Sequence, residues 1–164
     1  MYSEQQPNRL AHSCEISTGA FQHHYWKLIG KWALIVWGVL LTVGFGFNIY
    51  VMVTVITGQT QLNQQQIIMT AIALAHSLIV QLIGITACAL GVQGIIHKNK
   101  VYVKYCFFAL IAMMAVVILG HAALAIYTQN YQLLIGLWIC LWIGLLMLII
   151  RKNLEALEYC EMCY

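Results

Sequence analysis

Four side chains in this sequence sit where polar groups are expensive: Asn48, His76, Gln81 and His121 each interrupt a long, otherwise apolar run. Imidazoles in such a setting can hold a metal, pass a proton or hydrogen-bond a neighbour, and amides can bond in both directions. Polar groups buried in apolar helices face the bundle interior and find each other. The simplest reading is a cluster of hydrogen bonds that joins helices with neutral imidazoles, each bond worth about 1 kcal/mol. The same four residues would also suit a proton- or ion-linked path, and two histidines invite haem or metal ligation. Haem asks for two axial histidines at one depth and zinc for a third or fourth ligand, and no Asp, Glu or Cys lies in that layer, so no metal or cofactor is expected. The chain has no Asp, and its five Glu all lie at 1–31 or 151–164. Without an intramembrane carboxylate to act as acid or base, an enzyme is not expected.

The six cysteines are Cys14, Cys88, Cys106, Cys140, Cys160 and Cys163. None falls in the two uncharged loops, at about 57–66 and 127–132, that are read below as facing the oxidising side, so a disulfide framework is not expected. Cys106, Cys160 and Cys163 lie where a span meets the cytoplasm and are lipidation candidates. The Cys160-Glu-Met-Cys163 spacing also matches half of a zinc site or a redox pair, but it stands alone. His23 and His24, followed by Tyr25 and Trp26, read as interfacial anchoring.

The elements that must position these residues follow from composition. The chain has 164 residues, of which 62% are hydrophobic and 8% charged, far from the roughly 25% charged of soluble domains. Four stretches, about 32–56, 67–95, 102–126 and 133–150, reach the roughly 20 residues that a membrane-crossing helix needs. The first 20 residues are polar, lack the apolar core of a signal peptide, and read as an irregular tail. All the basic residues, Arg9, Lys27, Lys31, Lys98, Lys100, Lys104, Arg151 and Lys152, flank one end of these spans. The segment His97 to Lys104 is the charged turn around which the others are placed, and positive charge is retained in the cytoplasm. Counted from the opposite ends at 1.5 Å per residue, Asn48 lies roughly 12 Å deep, His76 roughly 14 Å and His121 roughly 9 Å, one polar layer from three spans.

Small residues recur at helical spacing: Gly38, Thr42 and Gly46 in the first span, Gly84 and Gly91 in the second, and Gly136, Cys140 and Gly144 in the fourth. Such faces let helix backbones approach closely in lipid, where the hydrophobic drive between helices is absent.

The run Ala87-Cys88-Ala89-Leu90-Gly91-Val92-Gln93-Gly94-Ile95-Ile96-His97-Lys98-Asn99-Lys100 resembles the end of the second span and the short inner loop of tetraspanins, where a small-residue, Cys-containing stretch leads through a Gly to a basic Asn-Lys turn. The region from Gly38 to Gly44, the inner termini and the juxtamembrane cysteines are similar too. Tetraspanins carry a long outer loop with a Cys-Cys-Gly motif between their last two spans, and here only six residues stand there, so the partner-binding domain that the resemblance would imply is missing. The CD20-like four-span family, with its short basic inner loop, is similar to the same degree.

These readings combine into an expected all-α, integral membrane four-helix bundle, up-down-up-down, with N- and C-termini cytoplasmic. Residues 1–31 form a cytoplasmic tail with an interfacial segment, 32–150 the transmembrane domain and 151–164 a second tail. The expected role is a non-enzymatic scaffold or accessory subunit, with a small channel or transporter subunit and a haem- or metal-binding redox subunit as alternatives. The expected partners are the lipid bilayer and other membrane proteins, in a homo-oligomer or a larger complex, and not nucleic acid. The plasma membrane, an endomembrane or an organellar membrane would all house such a chain.

Overall fold

The computed structural model describes residues 7–58, 63–128 and 132–162, with side chains given for 24–58, 63–123 and 136–158. Four helices follow in order: α1 (Pro7–Ile56), α2 (Gln64–Ile96), α3 (Lys100–Thr128) and α4 (Gln132–Met162). No strand occurs among the described residues. All four helices are long and apolar enough to cross a membrane, so the chain is a multi-pass integral membrane protein. Short connections make neighbours antiparallel; α1 packs on α2, α2 on α3 and α3 on α4, while α1 and α4 close the bundle through a smaller interface.

The helices outrun the spans expected for them. Residues 7–20, read as an irregular tail, continue α1. Pro7 stands at its first position, where a missing N–H costs nothing and the fixed φ suits a helix. At the other end Gly58 takes φ 71, a left-handed conformation that glycine adopts freely. The expected ten-residue loop is shortened because Asn63 caps α2: its side chain accepts from the Gln66 N–H at 2.8 Å, and the Gln66 side chain accepts from the Asn63 N–H at 3.1 Å, a reciprocal capping box.

The basic turn between α2 and α3 is tighter than the sequence suggested, only three residues, His97 to Asn99. His97 N–H donates to Gln93 O at 2.9 Å, closing the last α-helical turn, and Asn99 N–H donates to Gly94 O at 2.9 Å, the six-to-one bond of a Schellman C-cap. Lys98 occupies the left-handed position with φ 53, where glycine is usual. Asn99 then turns the chain into α3, accepting from Val101 N–H at 3.0 Å through its side chain.

The core runs as a stripe along the bundle axis. On α3 it is Val103, Cys106, Leu110, Met113 and Val117; on α4 it is Ile143, Leu146, Ile150, Asn153 and Leu157. Both sets step by three and four residues, the spacing of left-handed supercoiled helices. On α2 the small residues Gly84, Ala87, Cys88, Gly91 and Gly94 are buried with Ile95, and the neighbours fill the space they leave: Leu41 and Met113 lie against Gly84, Leu34 and Cys106 against Gly91, Val103 against Gly94.

Candidate functional site

The polar residues of the sequence reading fall into two adjoining contacts. Between α1 and α2, the Asn48 amide donates to Ser77 Oγ at 2.8 Å and to Gln81 Oε1 at 3.0 Å. The Gln81 amide nitrogen lies against Gly44, where a Cβ would approach it to 2.8 Å. Between α2 and α3, the rings of His76 and His121 meet edge to face with centroids 5.8 Å apart. Ser77 and His76, consecutive on α2, therefore send one polar side chain to each neighbour. The depth difference estimated for the two histidines does not keep them apart.

Each imidazole is seated on a glycine of the next helix. A Cβ at Gly120 of α3 would overlap the His76 ring, and one at Gly136 of α4 would come within 2.8 Å of His121 Cβ and Cγ. Glycine is required here by close approach rather than by backbone dihedral, since both lie within helices. His121 Nδ1 is 2.9 Å from Val117 O, one turn back on its own helix. A carbonyl only accepts, so a neutral His121 carries its proton on Nδ1 and leaves Nε2 as an acceptor. His76 Nε2 is buried and makes no hydrogen bond among the described residues. Nor do three or more His, Cys, Asp or Glu side chains converge among them.

The small residues expected to form helix faces divide. Gly38 lies 3.3 Å, measured from an added Cβ, from Cys88 Cβ, while Gly46 has nothing within 4 Å and Thr42 turns outward, its hydroxyl donating to Gly38 O at 2.8 Å. Gly136 is buried, while Cys140 and Gly144 are half-buried, Gly144 with open space where a Cβ would stand. A step of four residues advances about 40° around a helix of 3.6 residues per turn, so three such positions sweep off a single contact line. Of the predicted positions Gly84, Gly91 and Gly136 are buried, and only on α2 is the whole predicted set buried. Among the lipidation candidates, Cys106 is fully buried with its Sγ on Gly91 and has no room for an acyl donor. Cys160 and Cys163 lie outside the residues whose side chains are described.

Three contacts had no counterpart in the sequence reading. Asn153 on α4 is only 3% exposed and its amide group faces Gly30 of α1, where a Cβ would overlap it; the amide donates to Ile149 O at 2.9 Å. Trp37 of α1 stacks on Trp142 of α4 with centroids 6.4 Å apart. That stack forms part of the wall of an apolar groove of about 760 Å³ between α1 and α4, lined also by Trp32, Val36, Leu40 and Leu145. Gly30 falls within 1–31, expected as a cytoplasmic tail with an interfacial segment, and is packed against α4 instead.

No family model, curated protein or solved structure matches this chain.

Proposed function

We propose that the chain is a non-enzymatic packing or accessory subunit, with both termini and the His97 to Asn99 turn in the cytoplasm, which joins a homo-oligomer or a larger assembly by binding other membrane helices. The observation that carries this reading is the contrast between its inner and outer surfaces. Asn48 bonds both Ser77 and Gln81, and His76 and His121 fill glycine notches, so these polar side chains serve contacts between the chain's own helices. On the outside, Gly46 and Gly144 face open space and Thr42 has its hydroxyl satisfied by its own helix. These are smooth places where a foreign helix backbone can come close. The topology rests on basic residues being confined to one end of the four helices, and Cys160 and Cys163 are then on the acylating side of the membrane.

The test is the size of the full chain extracted from its native membrane in mild detergent, read on a native gel beside a Gly46→Leu, Gly144→Leu variant. The wild type is expected above monomer size or with a copurifying membrane protein, and the variant at monomer size with unchanged thermal stability. A wild type that is monomeric and alone refutes the reading. Gly136→Leu is unsuited to this test, because that residue holds the fold against His121.

A second reading is favoured by one atom. His76 Nε2 is buried without a hydrogen bond among the described residues, which suits a group that takes up and releases a proton. Proton flux in liposomes containing the protein, abolished by His76→Leu with His121→Leu, would establish it; equal flux in wild type and variant would dismiss it.

A further inference from the structure

We propose that the basic end of the α1–α2 interface binds the headgroup of an acidic phospholipid, held by Lys27 and Lys31 of α1 with Lys98 of the turn after α2. The register of the two helices brings these charges together. Leu41 packs on Gly84, Leu34 on Gly91 and Gly30 on Ile95, so each step back along α1 is matched by an equal step forward along α2. Three residues further on, Lys27 stands level with the turn that carries His97 and Lys98. Lys31 precedes Leu34 by three residues and Gly38 by seven, and both of these pack on α2. It therefore shares the α2 side of α1 with Lys27. The two α1 lysines are half-buried, while His97 and Lys98 are exposed.

Charge is divided unevenly around this end of the bundle. The two carboxylates whose side chains are described belong to α4 and are engaged there: Glu155 pairs with Arg151 at 3.1 Å and Lys152 at 2.8 Å, and Glu158 with Lys104 of α3 at 4.0 Å. No ion pair reaches Lys27, Lys31 or Lys98 among the described residues. Lys27 and Lys31 are moreover four residues apart on one helix, a like-charge spacing that destabilises an isolated helix. Retention of positive charge in the cytoplasm asks only that lysines stand at this end; it does not ask that they share one face without a counterion. An anion seated among them offsets the repulsion. Tyr25 and Trp26, whose rings meet edge to face at 6.0 Å, precede Lys27 directly, and such aromatics sit at headgroup level. The anion at that depth is a lipid headgroup. The cytoplasmic leaflet is the one rich in acidic lipids, so the supply of ligand rests on the topology proposed above, whereas the cluster itself does not.

The test immobilises the full chain in detergent, equilibrates it with equal amounts of dioleoyl phosphatidylserine and dioleoyl phosphatidylcholine, and counts the lipids retained after washing by mass spectrometry. The wild type is expected to prefer the serine lipid. Lys27→Gln with Lys31→Gln should lower that preference by about fivefold per lysine removed, and so should Lys98→Gln alone, which changes an exposed turn residue and no packed one. Lys104→Gln with Arg151→Gln, an equal loss of charge at the same end but from α3 and α4, should leave the preference unchanged. Millimolar inorganic phosphate at constant ionic strength should not displace the lipid. Equal retention of the two lipids by the wild type, an equal loss in the α3–α4 variant, no loss in Lys98→Gln, or displacement by phosphate would each overturn the proposal. Since the measurement needs neither a bilayer nor a partner protein, its failure leaves the subunit reading to its own test.

Discussion

Gly120→Ala is the sharpest probe of the imidazole packing. A methyl group there would overlap Cε1 and Nε2 of His76 and reach Nδ1. The ring turns about only two side-chain bonds, one side of it is closed by His121 at 5.8 Å, and its Nε2 is already buried. It can yield only by giving up the contact with His121 or by pushing α3 away. Overpacking of this kind costs about 1–3 kcal/mol. Alanine regains about 1 kcal/mol of helix propensity over glycine, so the net loss is about 0–2 kcal/mol. For a chain of this size that is a fall of up to roughly 8 °C in melting temperature, measurable by thermal unfolding in detergent. Gly46→Ala, with open space at its Cβ, should instead hold or raise it. Adding His76→Ala to Gly120→Ala should recover part of the loss, through a coupling of about 0.5–3 kcal/mol. If Gly120→Ala and Gly46→Ala behave alike, or if His76→Ala gives no recovery, the ring does not occupy the notch.

Asn48→Leu removes both bonds to α2 and should destabilise by about 0.6–2 kcal/mol in the same unfolding assay, with Ser77→Ala costing less because Gln81 still accepts. Lys98→Gly should stabilise by about 0.5–1 kcal/mol, since glycine occupies a left-handed cap without the penalty of a side chain. Asn99→Ala should cost about 1 kcal/mol by uncapping α3. Lys104→Ala should change the melting temperature by no more than the scatter of the assay, because its partner Glu158 is 4.0 Å away and both side chains are about half exposed.

The existence of four spanning helices, their order and the position of the basic turn were legible, because membrane thickness and the confinement of charge constrain composition directly. The four polar residues were also legible as exceptions to an apolar background. Their pairing was not. That Asn48 bonds Ser77 and Gln81 while His76 turns to His121 depends on helix rotation, and in a membrane the outward positions are as apolar as the inward ones. Val39, Val43 and Phe47 face outward and Leu34 inward, and nothing in their hydropathy separates them. The three-four stepping of Val103, Cys106, Leu110, Met113 and Val117 is hidden for the same reason, among equally apolar neighbours such as Phe108, Ile111 and Ile118. Glycines carried the missing information unevenly: Gly84 and Gly91 mark the packed side of α2, while an added Cβ at Gly46 or Gly144 would meet nothing among the described residues. Spacing alone does not tell the two kinds apart.

The contact of Asn153 with Gly30 joins α1 to α4, so it cannot form until α4 has been synthesised. Until then the earlier helices wait with Gly30 unoccupied. A bulky residue at that position would stand where the Asn153 amide sits, and since every copy of the variant would carry it, α4 would find no better seat on the first helix of another molecule than on its own.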